Sequence, residues 1–404
     1  MRASTYPLID VAEAHSRVLR LTPVLPVEGA AIGDCYGRVL AEDLVAPRDL
    51  PPWPASAVDG YAIRAADAGS RLRVIGESAA GHPFTGALEP GTAARILTGG
   101  VLPEGADAVV MVEDTDLYGD LVSIRTSLSP GANFHQPGAD LKRGEVALKA
   151  GRALGPPELG LAAAMGFAAL PVRRFPRVAL MSTGDELVEV GDEPGPGQIV
   201  DSNRFALLGA LSEAGAEVRL LGTAPDDPAK LRALVEEALV DADVLVTSGG
   251  VSVGTHDLVK PLLESLGEVH IGRVKLRPGK PFTFATLPGP RLAFGLPGFP
   301  VSSLVTFEVF VRPALRRLQG YAELERPRLP VRLAYDARAA GDRTEYQRVT
   351  LVRDGGELVA TSTGSQSSSR LMSLVGAHAL VRIPPGGMGI SAGTVVEGII
   401  LNLP

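Results

Sequence analysis

Residues 243–260 read DVLVTSGGVSVGTHDLVK. The apolar run DVLV has strand length and is followed by hydroxyls, two adjacent glycines and the carboxylate of Asp257, with a helix predicted from His256. Two earlier segments repeat the plan. RVALMS (177–182) leads through Thr183-Gly184-Asp185-Glu186 to a helix from Asn203, and EVRLLG (217–222) leads through Thr223 to Asp227 to a helix from Pro228. Alternation of this kind from about residue 177 to 318 predicts right-handed βαβ units around a doubly wound parallel sheet.

In such a sheet ligands bind beyond the carboxyl ends of the strands. The three loops should therefore meet at one edge, each bringing hydroxyls and a carboxylate. Asp227, directly before Pro228, reads as a helix cap. Asp185, Glu186, Asp226 and Asp257 together suggest a divalent cation with oxygen ligands, since Mg²⁺ favours a few carboxylates plus substrate phosphate oxygens. The Gly-Lys-Ser/Thr ending of a phosphate-binding P-loop is absent.

Outward from this core the pattern changes. From about residue 71 to 148, short runs (LRVIG, AARIL, AVVMV, LVSIR) parted by Gly and Asp turns predict a compact β module, and a second β-rich stretch begins near residue 327. MRASTYPLIDVAEAHSRVLR lacks an apolar signal core and reads as an amphipathic helix beginning after Asp10, which suits a cytoplasmic protein. The most apolar window, LGLAAAMGFAALPV from Leu159, is too short for a membrane span and reads as a buried helix.

The 404 residues suffice for several domains, and 45% hydrophobic with 21% charged residues is an ordinary globular balance. A net charge of -7 argues against a nucleic-acid or anionic-membrane surface. The single cysteine, Cys35, excludes an intrachain disulfide and a multi-cysteine metal centre, and reads as a small core residue. His256 has no helical His partner for zinc.

Within this acidic chain EVHIGRVKLRPGKPFTF (268–284) is locally basic. Read as a strand, it places Arg273, Lys275 and Arg277 on one face, ahead of the rigid turn carrying Lys280. That stripe, facing the acidic edge, suggests an anion-binding channel. In GLPGFPVSS (295–303) Ser302 and Ser303 fall near a helix start, which also favours an anion.

Together LPPWPASAVDGYA, ILTGGVLPEGADAVVMVED, STGDEL, TSGGVSVGTHDLVK, RPGKPFTFA and GLPGFPVSS resemble the molybdopterin molybdenumtransferase family, which includes the E domain of gephyrin. YQRVTL and GSQSSS are weaker echoes. The resemblance implies a multidomain α+β and α/β chain. Its parts would be an elongated domain (1–46 and 146–176), an inserted β module (47–145), the α/β domain (177–326) and a C-terminal β-barrel (327–404).

It further implies a homodimer with each active site shared between protomers, and a Mg²⁺-dependent reaction of molybdate with adenylylated molybdopterin that releases AMP. Hand-over to molybdenum-cofactor enzymes would follow, with no nucleic-acid or membrane partner. Carried over by position, Glu186, Asp226 and Asp257 line the metal and nucleotide site, with Ser248, Gly249 and Gly250 in the same loop system. Arg277, Lys280, Ser302, Arg348 and Ser368 surround molybdate. Asp59, Thr98 and Asp140 reach in from the partner's β module, and Arg273 flanks the cleft. Asp59, Asp140, Glu186 and Asp257 are the implied catalytic carboxylates.

Several positions depart from the family pattern. Phe299 replaces an Asn, Arg273 and Arg277 replace lysines, His135 and Ala139 replace Arg and Glu, and Ser367 replaces a Gly. Two other readings stand beside the transferase: the preceding adenylylation of molybdopterin, and a scaffold that binds the pterin without turnover.

Overall fold

The computed structural model describes residues 6–224, 227–251 and 258–403. At its centre is a six-stranded sheet ordered Glu217–Ala224, Arg177–Thr183, Val244–Ser248, Arg291–Leu296, Thr283–Leu287, Glu268–Ile271. The first four strands run parallel, and the next two pair antiparallel. The inner strands Arg177–Thr183, Val244–Ser248 and Arg291–Leu296 are buried along nearly their whole length because both faces of the sheet are covered.

Alternation along each strand sorts the two layers. Val178, Leu180, Val244, Val246, Leu292 and Phe294 face one core, with helices Asn203–Glu213, Pro300–Thr306 and Arg312–Leu318. Ala179, Met181, Leu245, Ala285 and Ala293 face the other, with helices Pro228–Ala238 and Val259–Leu266. The sheet is thus doubly wound. Phe282, Phe284 and Phe294 are fully buried in the first core, each contributing roughly 1.5–3 kcal/mol of transfer free energy.

Helix Val11–Leu21 starts after Asp10, as its pattern predicts, and buries Val11, Ala14 and Val18 against this same first core. A bridge between Ile9 and Val274 ties its approach to the α/β layer. The basic segment is correspondingly not a continuous strand. Val274 forms only that bridge, and regular pairing resumes at Leu276–Arg277. Lys275 pairs with Asp10 at 3.2 Å, while Arg277 lies 3.6 Å from Glu345, so the residues do not form one stripe.

Strand Val27–Ala31 pairs antiparallel with Ala169–Arg173, and Leu44–Val45 pairs with Val146–Leu148. The apolar window near Leu159 is therefore not one buried helix. It is helix Pro156–Met165, closed by Gly166 in the left-handed conformation (φ 91°), then strand Ala169–Arg173. Between residues 46 and 146 the chain builds a second six-stranded sheet from Gly60–Ile63, Arg71–Ser78, Thr92–Ile96, Ala108–Met111, Thr115–Tyr118 and Leu121–Ile124.

The C-terminal strands Arg328–Leu333, Thr344–Asp354, Glu357–Ser362, Ala379–Ile383 and Val395–Ile400 close into a barrel, because Thr344–Asp354 pairs with both Glu357–Ser362 and Ala379–Ile383. Leu276–Arg277 adds to it in parallel at Thr344 and Glu345, which fastens barrel to α/β layer. Cys35 is buried in the small core around Leu40, Leu148 and Leu170. No helix among the described residues is long and apolar enough to cross a membrane.

Candidate functional site

A cavity of about 320 Å³ opens at the carboxyl ends of the parallel strands. The loop after Arg177–Thr183 supplies Ser182, Thr183, Gly184 and Glu186, and the loop after Val244–Ser248 supplies Ser248, Gly249, Gly250 and Val251. Pro281, Pro297, Gly298 and Pro300 form a further wall. Asp226 and Asp257 lie outside the described residues, as does His256. Asp227 accepts from the backbone N–H groups of Ala229 and Lys230 at 2.9 and 3.0 Å, which makes it the helix cap.

Two glycines let the loop pass this close. Gly249 has φ 90° and Gly250 φ 63°, and a Cβ on Gly249 would fall 2.5 Å from the carbonyl oxygen of Thr183. Around them polar atoms are left without hydrogen-bond partners among the described residues, including Ser182 Oγ, Thr183 Oγ1 and Thr247 Oγ1. Buried hydroxyls in that condition favour a polar ligand.

The segment IVDSN, not singled out by sequence reasoning, forms another wall through Ile199, Val200, Asp201, Ser202 and Asn203. Asn203 Nδ2 donates to Ser248 Oγ at 2.8 Å and to Gly298 O at 2.7 Å. A signal was present: Asp, Ser and Asn in succession ahead of an apolar-periodic helix, which a capping reading absorbs.

Beside the cavity lies a cationic junction between α/β layer and barrel. Arg348 is 0% exposed; its Nε donates to Ser373 Oγ at 3.1 Å and its Nη2 to Ser367 O at 3.2 Å. Its Nη1 has no hydrogen-bond partner among the described residues. Burial pushes its pKa down to about 10, with Glu345 opposing and the like charge of Arg277 adding to the shift. The barrel loop docks through Ser368 O, which accepts from Val301 N at 3.1 Å in the first turn of Pro300–Thr306. Ser302, buried in that turn, and half-exposed Arg277 complete the junction. Lys280 is exposed and adjoins the cavity residue Pro281.

Other candidates lie elsewhere. Arg273 donates to Tyr6 O at 2.6 and 3.1 Å, so its guanidinium is engaged with the N-terminal segment. Asp59 and Thr98 are exposed together on the second sheet's loops, and Asp140, also exposed, donates its N–H to Leu50 O at 3.0 Å near the start of the same segment. No hydrogen bond or strand pairing among the described residues links those three to the cavity. Phe299 occupies the cap position of Pro300–Thr306, makes no side-chain cap bond and is 60% exposed.

Residues 9–166 match the MoeA N-terminal region (domain I and II), 179–317 a probable molybdopterin binding domain, and 330–401 the MoeA C-terminal region (domain IV). A molybdopterin molybdenumtransferase from Nostoc sp. is 39% identical over 98% of this chain and 94% of its own length. The chain belongs to the molybdopterin molybdenumtransferase family.

Its likeness to other molybdenumtransferase relatives extends to structure. A molybdopterin biosynthesis MoeA protein from Pyrococcus horikosii superposes with a TM-score of 0.82 at 34% identity, covering 98% of this chain and 99% of that one. A gephyrin from Dictyostelium discoideum is 35% identical over 99% of this chain, which spans 63% of that longer relative. Membership in the molybdenumtransferase family places the chain among enzymes of molybdenum cofactor biosynthesis.

Proposed function

We propose that this enzyme transfers molybdenum from molybdate to adenylylated molybdopterin and releases AMP in the cytoplasm. The observation that carries this reading is the cavity at the strand ends, lined by bare glycine backbone, Glu186 and hydroxyls that have no partner among the described residues, next to a buried guanidinium whose Nη1 likewise has none among them. The first set suits a phosphorylated pterin nucleotide and the second a small oxyanion. Ser302, Arg277, Lys280 and Ser368 would surround that oxyanion with Arg348.

Among the described residues no three His, Cys, Asp or Glu side chains lie together as a metal would require. The cavity's donors are carboxylate and hydroxyl oxygens, a set that suits Mg²⁺ and not a thiophilic ion. Glu186 would hold it, with Asp226 and Asp257 as further ligands. Bound there, Mg²⁺ would offset the negative charge of the phosphates. Arg277 and Lys280 would do so from the other side, so that catalysis is mainly positioning and electrostatics.

The exposed Asp59, Thr98 and Asp140 make sense in a homodimer, in which one protomer's loops complete the partner's cleft. Arg273 would then support the cleft from outside. The product would pass to molybdenum-cofactor enzymes. Incubating purified protein with adenylylated molybdopterin, Mg²⁺ and molybdate should liberate AMP. Tight pterin binding with no AMP above the buffer control would overturn the transferase reading in favour of a scaffold.

A further inference from the structure

Asn203 has one feature that loop architecture does not use. Gly298 O can only accept, so the bond from Nδ2 fixes the orientation of the amide. Both Nδ2 hydrogens are engaged, and Oδ1 is buried with no donor among the described residues. Two residues earlier, Asp201 is 1% exposed. Its Oδ1 accepts from Arg204 N at 3.1 Å. Its Oδ2 lies 3.4 Å from Arg204 Nε in an ion pair that lacks hydrogen-bond alignment.

An acceptor withdrawn from water without a donor costs roughly 1–3 kcal/mol. Asn203 Oδ1 is such an oxygen, and beside it on the same wall Asp201 Oδ2 has an ion pair but no hydrogen bond among the described residues, which favours a ligand that brings N–H groups. A phosphate oxygen fails this requirement at Asn203 Oδ1, since it is itself an acceptor. Leu187, Ile199 and Val200 line the cavity beside them and suit the face of a flat ring.

We propose that Asn203 is a positioning and specificity-determining residue whose Oδ1 accepts an N–H from the 2-amino group of the bound pterin. Its Nδ2 meanwhile holds the Ser248 and Gly298 loops at the spacing the ring requires. This rests on the cavity being the pterin-nucleotide site. Asp201 stands behind it as a second acceptor for the same donor-rich edge.

The test compares calorimetric affinities for pterin (2-amino-4-oxopteridine) and lumazine (2,4-dioxopteridine), which exchanges the amino donor for an acceptor. Wild-type protein is expected to prefer pterin by about tenfold or more, a difference of about 1.4 kcal/mol. Asn203→Ala should reduce that preference below about twofold; loss of Nδ2 also releases the Ser248 and Gly298 loops, so the readout is the pterin-to-lumazine ratio, in which an effect common to both rings cancels. Should Asn203→Ala fail to fold by thermal melt, Asn203→Ser supplies the same comparison with a hydroxyl left to bond Ser248. A pterin preference that persists undiminished in a folded variant overturns the inference, as does an equal loss for both rings. Wild-type protein that binds neither ring overturns the cavity assignment itself, a distinguishable result.

Discussion

Asp59 Oδ1 accepts two hydrogen bonds from Thr98, from the backbone N and from Oγ1, each at 2.7 Å. The backbone bond is the main reason its carboxyl titrates below the usual value, and the hydroxyl adds to it. An exposed carboxylate held in this way is oriented outward and ionised. Its contribution is present above the unfolded-state pKa and is lost as pH falls through the lower folded-state value. Thr98→Val should move the Asp59 pKa upward in a carboxyl-resolved NMR titration; an unchanged midpoint would show that the hydroxyl is idle.

The shared-site arrangement predicts complementation. Asp59→Asn and Glu186→Gln proteins should each lose AMP release. Mixed by unfolding and refolding together, they should recover about one quarter of wild-type activity, because half the dimers are mixed and each then has one intact site. No recovery in mixed dimers verified by tag capture would place Asp59 and Glu186 in the same protomer's site.

Arg348→Lys removes the fork that spans Ser373 Oγ and Ser367 O while keeping a charge. The expected result is a molybdate KM raised about tenfold or more, with the pterin-nucleotide KM unchanged, the scale of a lost charge-assisted hydrogen bond. A group whose folded-state pKa is depressed carries a desolvation cost while protonated, and sheds it as pH rises. In the wild type, molybdate binding should therefore hold through neutral pH and weaken as pH passes about 10. Equal rises in both KM values would count against a dedicated oxyanion pocket.

Gly249→Ala forces a side chain onto φ 90° and against the carbonyl of Thr183, where backbone cannot yield cheaply. Destabilisation by about 1–3 kcal/mol is expected, together with loss of nucleotide binding. Thermal melts and AMP titration of the same sample separate the two effects. A variant that keeps wild-type stability would show that the loop adopts another path.

Helix starts give a contrasting pair. Asp227→Ala should cost about 1 kcal/mol in denaturant unfolding without altering AMP release, because its side chain serves backbone N–H groups. Phe299→Asn should instead gain about 1 kcal/mol, since Phe299 has extended backbone at a cap position yet offers no acceptor. Loss of stability in the second variant would mean that the exposed ring packs against something in solution.

Much of the central layer was legible because strand and helix periods differ, and at Pro228–Ala238 an Asp-Pro start marks the helix. Asp227 was assigned correctly on that basis alone. The basic segment misled because alternation assumes a paired strand, whereas Val274 turns instead to Ile9. The window from Leu159 misled because apolar content does not distinguish helix from strand, and only Gly166 marks the change. Asn203 was missed for a different reason: its donors and its buried acceptor act across loops distant in sequence, and a cap signature masks a wall residue. Glu186 and Ser248 meet at one cavity, whereas exposed Asp59 lies on the second sheet's loops and buried Arg348 in the barrel, places that local patterns cannot relate.

Leu44–Val45 and Val146–Leu148 lie side by side, so the chain departs for its second sheet and comes back at nearly the same point. A segment attached in that way is a detachable cassette. Evolution or an engineer can swap it by splicing at two neighbouring positions, altering what is offered to a facing molecule while the rest of the chain keeps its threading.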